Sequence, residues 1–479
     1  MVTKSNVLSN LVWRLAERCG AQFVTLVVSV ILARLLSPED YGTVALVTVF
    51  TTILQVFVDC GFSTALIQRK NADELDFSSV FYFNFILCII LYFLMFFSSK
   101  YIAMFYGNEE LVPLVRFISL TIIISGFKSV QQAYVSKNLL FKRFFYATLG
   151  GTCTSAIIGI YLAYKGFGVW AIAFQQVANN AIDTIILWFT VKWRPKLFFS
   201  WDRLQGLLGF GWRILLSSLL DSIYNNIRNL LIGKIYNPLN LAYYNQGEKF
   251  PKIIVSNINS SIDSVLLPAM SIEQDDRERI KIMTRRAIQV STFVMAPMMV
   301  GLACCARNIV IVLLTEKWLP CVFFLRIFCF TYMLYPIHTA NLNAIKAVGR
   351  SDLFLRLEII KKIIGLFLLI ISIPVGIYAI AYSLLLSTVL AAIINSWPNR
   401  KLLNYPFLDQ VKDIVRPLLL SFSMGIVVVG IGKTGFSATM QLAMQIVIGL
   451  VTYIVLAKLT GSKTYFYIKT TVKEITKNS

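Results

Sequence analysis

The 479-residue chain is 57% hydrophobic and only 14% charged, with a formal net charge of +21 and a mean hydropathy of +0.70. So little charge cannot cover the surface of a water-soluble chain of this length, which excludes a soluble enzyme and a soluble nucleic-acid-binding protein. Apolar runs of about 20 residues, the length that crosses the hydrocarbon core as a helix, recur from end to end. No ten-residue alternating pattern of an outer-membrane barrel interrupts them, so the expectation is an all-α, multi-pass membrane protein.

In chain order the runs predict fourteen spans, at 11–36, 42–66, 77–97, 112–136, 144–164, 167–191, 207–235, 249–272, 285–314, 320–345, 354–373, 377–397, 414–433 and 437–459. The leading MVTKSNVLSNLVW has no small-residue cleavage site after a short apolar region and reads as a lead into span one, not a signal peptide. Span one carries Arg14, Glu17, Arg18 and Gln22, with Arg14, Arg18 and Gln22 on one face, and it ends in ILARLLSP. Span two carries Asp59 near its end, before STALIQRK; span four carries Lys128, Gln131 and Gln132; span six carries Gln175, Gln176, Asn179, Asn180 and Asp183. The segment 192–206, KWRPKLFFSWDRLQG, mixes basic residues with aromatics and suits the lipid interface. Span seven opens on Trp212-Arg213-Ile214, carries Ser217, Asp221, Asn225 and Arg228, and ends in LIGKIYNP. Asn257, Asn259, Ser260 and Asp263 follow in span eight, and Arg326, His338, Asn341 and Asn343 in span ten.

Lys and Arg alternate between loops. They crowd 69–70, 137–143, 192–203, 277–286, 346–356, 400–412 and the tail, and thin out in the loops between. The positive-inside rule then places both termini in the cytoplasm, and anionic headgroups explain the basic charge without nucleic acid.

The ending ILARLLSP at 31–38 and LIGKIYNP at 231–238 is written twice, and so is the opening at Trp13-Arg14 and Trp212-Arg213. Asp59 and Asp263 sit at matching places in the following spans. An offset of six spans preserves orientation, so the halves read as parallel repeats with a shared site near the midplane. Arg34 and Lys234 fall at outer helix ends, where a basic side chain snorkels.

Polar stripes in so many spans predict a water-accessible cavity between the halves. Guanidinium groups with amides suit a substrate bearing phosphate and hydroxyls. The candidate substrate contacts are Arg14, Arg18, Gln22, Gln176, Asn179, Asn180, Arg213, Asp221, Asn225, Arg228 and Asn259, giving a net basic pocket. Glu17, Asp59, Asp183 and Asp263 are the candidates for ion coupling. Two plainer readings stay open: Arg14 and Arg18 snorkel from a helix end, and Asp59 and Asp263 pair with a loop.

Other motifs carry no chemistry. GIGKTG at 430–435 matches G-x-G-x-x-G but follows an apolar helix rather than a strand, and reads as a turn. EQDDRERIK at 273–281 reads as a solvated charge cluster. Cys19, Cys60, Cys88, Cys153, Cys304, Cys305, Cys321 and Cys329 lack C-x-x-C spacing, and the chain has one histidine, so neither a metal nor another cofactor is expected.

With ERCGAQFVTLVVSVILARLLSPEDYGTVAL, DCGFSTALIQRK and YYNQGEKFPKIIVSNINSSIDSVLLPAMS, the chain resembles the polysaccharide flippases of the MOP superfamily, in the colanic-acid and O-antigen exporter branch. The resemblance implies a MATE/MurJ-like fold. In it, 1–191 and 207–400 form two six-helix bundles, 192–206 an amphipathic cytoplasmic linker, and 401–479 two extra helices with a basic tail. It also implies an alternating-access flippase, not an enzyme. The cargo would be an undecaprenyl-diphosphate-linked oligosaccharide for capsule, exopolysaccharide, O-antigen or lipopolysaccharide. Coupling to H+ or Na+ would follow, in a bacterial inner membrane beside polysaccharide polymerase and chain-length machinery. Three rivals remain: a MATE-type multidrug/cation antiporter, which favours an acidic pocket; a membrane polymerase or ligase, which needs a large external loop; and a non-catalytic scaffold.

Overall fold

The polar residues between the apolar runs set where helices begin and end. A computed structural model describes residues 4–59, 65–67, 69 and 72–478, so that Cys60 and Lys70 lie outside the described residues. By packing, the chain divides into two compact units, Met1–Ala242 and Tyr243–Ser479. Among the described residues every regular element is helical.

The first unit holds α1 (Lys4–Leu35), α2 (Pro38–Asp59), α3 (Glu74–Tyr106), α4 (Leu111–Ile118), α5 (Leu120–Lys137), α6 (Phe141–Tyr164), α7 (Val169–Thr190) and α8 (Trp201–Ile235). From α9 (Pro238–Ile272) the chain passes to α10 (Arg277–Ile309), α11 (Cys321–Met333), α12 (Tyr335–Ala347), α13 (Ser351–Ser372) and α14 (Ile377–Leu402). Then come α15 (Phe407–Ile431), α16 (Ala438–Leu459) and α17 (Lys463–Asn478). The expected fourth span is two helices broken at Ser119, and the tenth is two broken at Leu334 ahead of Pro336.

Among the described residues eleven helices or helix pairs are long and apolar enough to cross a membrane. α7 and α13, 22 residues each, and α8, 35 residues, have the length but fall outside that set. Their polar residues are the reason: Gln175 to Asp183 in α7, Asp221 to Arg228 in α8, and Arg356 to Lys362 in α13 each interrupt an apolar run. This chain is a multi-pass membrane protein.

The repeated endings fold alike. α1 stops at Leu35 and Pro38 opens α2; α8 stops at Ile235 and Pro238 opens α9. Proline suits the first helical position because the N–H it lacks would have no partner there. The Ser37 hydroxyl accepts from the Asp40 amide at 3.2 Å and the Asn237 carboxamide from the Asn240 amide at 2.8 Å, each capping the helix that follows. Within the first unit the two turns meet. A Cβ on Gly42 would lie 1.8 Å from the Pro238 carbonyl oxygen, and one on Gly233 would lie 2.1 Å from Leu46. Only a bare backbone permits that approach.

One end of the first unit is tied by ion pairs. Asp73 caps α3 in a reciprocal box with Asp76, whose side chain is fully buried. Arg69 reaches Asp76 at 3.0 Å and Arg203 at 3.6 Å, and Lys196 pairs with Glu74. Segment 191–200, which includes the start of the expected 192–206 linker, is bonded to the unit. Gln131 donates to the Trp193 carbonyl at 3.2 Å, and the amides of Lys196 and Ser200 donate to Ser78 and Ser79 at 3.1 and 3.0 Å. Trp193 is buried against Phe77, Phe81 and Tyr134, while Leu197, Phe198, Phe199 and Trp201 stay exposed.

The second unit is knit by a buried amide network. Asn341 of α12 exchanges two bonds with Gln410 of α15, at 2.7 and 3.0 Å, and Asn399 of α14 donates to Asn341 at 2.6 Å. Asp413 of α15 accepts from Arg285 and Gln289 of α10 at 2.7 and 2.8 Å. Segment 432–436 is a turn between α15 and α16. In the 273–281 stretch Asp276 caps α10 and Arg279 pairs with Glu273 at 2.6 Å, a solvated cluster as expected.

Candidate functional site

Four helices of the first unit turn polar faces inward. On α2 the residues Thr48, Thr52, Gln55 and Asp59 recur at helical spacing, and on α5 so do Thr121, Ser125, Lys128, Gln132 and Ser136. α7 adds Gln176, Asn179 and Asn180, and α8 adds Ser222. Together they line a cavity of about 760 Å³. From Thr121 to Ser136 the lining follows α5 for about 22 Å at the helical rise of 1.5 Å per residue. It ends at Ile67 and Ser136, next to the basic segment that holds Arg69 and Lys137.

Small residues hold these faces in place. A Cβ on Gly151 of α6 would come 3.0 Å from the Asn179 carbonyl oxygen, and one on Gly159 would come 2.9 Å from Gln175. α6 therefore lies flat along α7. Gly126 of α5 does the same against Cys88 of α3, where its Cβ would meet the sulfur at 2.7 Å. Behind the lining, buried Asn84 donates to Ser129 at 2.5 Å.

The charges concentrate at one point. The Lys128 ammonium lies 2.9 Å from Asp183 Oδ2 and 3.4 Å from Asn180 Oδ1, and the side chains of the ion pair are 14% and 13% exposed. Asn180 in turn donates to the Gln176 carbonyl at 3.1 Å, which fixes its oxygen toward the lysine. Across the cavity wall Gln55 donates to Asp59 at 3.0 Å. Several hydroxyls are satisfied by nearby backbone carbonyls, as Thr48 is by Val44 of its own helix at 2.8 Å and Thr121 by Ile118 at the end of α4 at 2.7 Å. Their oxygens keep acceptor capacity for a ligand.

Of the expected contacts, Gln176, Asn179 and Asn180 reach the cavity, as do the ion-coupling candidates Asp59 and, through Lys128, Asp183. The described lining does not include the α1 stripe. Arg14 instead pairs with Glu17 at 2.6 Å and lies over the rings of Phe141 and Phe144, while Thr148 donates to Glu17 at 3.3 Å. Arg18 is exposed and Gln22 half-buried. On α8, Arg213 lies over Trp212, Asp221 and Asn225 are exposed, and Arg228 is buried over the Tyr224 ring. In the second unit Asn259 is half-buried and Asp263 accepts from Asn343 at 2.7 Å. The described cavity is thus not net basic, because Lys128 faces Asp183 and Asp59. Sequence reasoning named Lys128 and Gln132 only as members of a stripe and missed Thr48, Thr51, Thr52, Gln55, Thr121 and Ser125. Their period of three to four along α2 and α5 was the available signal. Among the described residues no cluster of His, Cys, Asp and Glu could hold a metal ion.

Eleven apolar helices of spanning length among the described residues, with a cavity of hydroxyls, amides and one ion pair in the first unit, define a multi-pass membrane protein. The chain belongs to the family described as Polysaccharide biosynthesis protein, which matches residues 31–323. It is similar to the succinoglycan biosynthesis transport protein ExoT of Rhizobium meliloti (strain 1021), 24% identical over 96% of this chain and 94% of that one. It is also similar to the teichuronic acid biosynthesis protein TuaB of Bacillus subtilis (strain 168), 26% identical over 85% and 86%. The lipopolysaccharide biosynthesis protein WzxC of Escherichia coli (strain K12) is 24% identical over 73% and 71%. Among solved structures, the lipid II flippase MurJ in its inward closed conformation superposes with a TM-score of 0.75 at 17% identity, over 94% of this chain and 98% of that one. An inward-facing multidrug resistance MATE family transporter of the MOP superfamily gives 0.63 at 17% identity, over 83% and 95%. The fold is therefore MATE/MurJ-like and all-α.

Proposed function

We propose that this chain is a flippase that carries a lipid-linked oligosaccharide across a bacterial inner membrane during polysaccharide biosynthesis. The observation that carries the reading is the cavity. It is an open cavity of about 760 Å³ lined by threonines, serines, glutamines and asparagines, in a chain that is 57% hydrophobic. Hydroxyl and amide groups in that density suit the donors and acceptors of a sugar head, which must cross a barrier that its prenyl tail need not leave. The family and the printed roles of ExoT, TuaB and WzxC support the same cargo class.

In this reading α7, α8 and α13 cross the membrane with the eleven apolar spans, giving fourteen crossings and two parallel repeats of six around 192–206. Both termini face the cytoplasm, and so does the basic end of the cavity beside Arg69 and Lys137. The cavity opens alternately to each side, with H+ or Na+ exchanged at Asp183 and Asp59. No bond is made or broken, so the chain acts as a transporter and not as an enzyme. Polysaccharide polymerase and chain-length machinery would receive the cargo.

One observation favours a second reading, a MATE-type antiporter of organic cations: the cavity lining carries Asp59, and its one lysine, Lys128, is paired with Asp183. Filling the pocket separates the two. With Thr52→Trp or Ser125→Trp, at unchanged membrane levels, a flippase loses surface polysaccharide and leaves drug susceptibility alone. Lost drug resistance with intact polysaccharide would overturn the flippase reading.

A further inference from the structure

We propose that Lys128 is the anion-binding group of this cavity and that Asp183 is its resident counter-ion, displaced when a diphosphate-bearing head enters. The inference rests on the flippase reading and assigns the part of the cargo that Lys128 takes.

A lysine inside the hydrocarbon region is costly unless it is paired or watered, so its partner reports its task. Lys128 has both: Asp183 at 2.9 Å and a place in the lining of an open cavity. Three N–H donors serve the ammonium, and Asp183 and Asn180 occupy two of them, leaving one for a ligand. Asp183 and Asn180 stand on successive turns of one face of α7, and the neighbouring Gly151 contact holds that face in register. The pair is thus preorganised without the cargo, and it neutralises Lys128 while the cavity holds only water.

An entering diphosphate offers more negative charge and more oxygens than one carboxylate at the same distance, so it wins the ammonium. Asp183 is then released into a cavity that already contains Asp59, where a second carboxylate is disfavoured. It must take a cation, a proton or a metal ion, from the same water. Binding of an anionic head at Lys128 and uptake of a cation at Asp183 become one exchange, and each is linked to the other. The acidic balance of the pocket then belongs to an anion site whose lysine is masked. A neutral sugar alone would not open the pair. The hydroxyls of α2 and α5 would hold the sugars, and Lys128 would select for the phosphate link.

The test uses the full chain in lipid nanodiscs, titrated calorimetrically with inorganic pyrophosphate and separately with tetraphenylphosphonium. If masking holds nine lysines in ten, Asp183→Asn tightens pyrophosphate binding roughly tenfold, since apparent affinity scales with the competent fraction. Lys128→Gln should abolish it, and the double variant, whose charge is balanced, should behave like Lys128→Gln. Equal loss in Asp183→Asn and Lys128→Gln would overturn the proposal and leave the pair a structural strut. Unchanged pyrophosphate binding in Lys128→Gln would overturn it too, without touching the flippase reading. Wild-type protein that takes tetraphenylphosphonium through Asp183 and no pyrophosphate would defeat the flippase reading itself.

Discussion

Asp73 shows how one carboxylate fixes a helix start in this chain. It accepts from the Asp76 amide at 3.0 Å, and that bond, followed by the nearby Arg203 and Arg69, holds its pKa below the usual carboxylate value. A lowered folded pKa means the unfolded chain takes the proton first. The cap's contribution is therefore complete at neutral pH and fades as pH falls from the ordinary carboxylate range, about 4, toward the lower folded value. Asp73→Ala should cost about 1 kcal/mol at pH 7, read from thermal melts in detergent, and the gap to wild type should narrow by pH 3. Glu17 gives a second residue-scale expectation. It is buried and held by Arg14 and Thr148, so Arg14→Ala strands a carboxylate and should destabilise by roughly 1–3 kcal/mol. Arg14→Ala in a Glu17→Gln background should cost much less. A loss of export in Arg14→Ala that Glu17→Gln rescues would assign Arg14 to structure; one that stays would return it to the cargo path. The sequence showed Arg14, Arg18 and Gln22 as a stripe but could not show where it points. Phe141 and Phe144 stand more than a hundred positions away, and they take the guanidinium.

At the scale of elements, the doubled turn is the clearest case of a pattern legible in the sequence. ILARLLSP and LIGKIYNP gave the helix ends at Leu35 and Ile235 because proline and a capping Ser or Asn act locally. What the spacing did not show is that the turns touch, through Gly42 and Gly233. Gly42→Val would drive side-chain atoms into the Pro238 carbonyl, so α2 must move off the start of α9. A disulfide pair placed across that contact should form in wild type and fail in the Gly42→Val protein. The α7 stripe was legible for the same local reason, since Gln176, Asn179, Asn180 and Asp183 are residues a lipid-facing helix avoids. The α2 and α5 stripes were legible only at Asp59, Lys128 and Gln132. Thr48, Thr51 and Thr121 satisfy their hydroxyls on backbone carbonyls three or four residues back, so a single threonine in an apolar run does not show what it faces and only the period does. The attachment of 192–206 to the first unit was not legible, because Trp193 reads as an interfacial aromatic until the pocket of Phe77, Phe81 and Tyr134 is seen. Trp193→Ala should free that strap, and limited trypsin digestion should then cut after Lys196, which resists in wild type.

For the whole molecule, composition alone dictated an all-helical membrane protein, and the MATE/MurJ-like fold bears that out. The pairing of Lys128 with Asp183 lay beyond that reading, because the two are 55 positions apart and only the packing of α5 on α7 joins them. The charge of the described cavity was hidden for the same reason: its lining holds Lys128 and Asp59, with Asp183 paired to the lysine, and none of the four candidate arginines. The measurement that bears most directly on the proposed activity is leaflet exchange in proteoliposomes containing this chain alone. The probe is a fluorescent undecaprenyl-diphosphate oligosaccharide read by quencher access, with and without a proton or sodium gradient. A flippase of this design moves the probe, faster with the gradient, and Lys128→Gln stops it while an apolar fluorescent phospholipid stays unflipped throughout. No exchange by wild-type protein across a panel of acidic and neutral repeat units, in vesicles where it is folded and correctly inserted, would contradict the flippase.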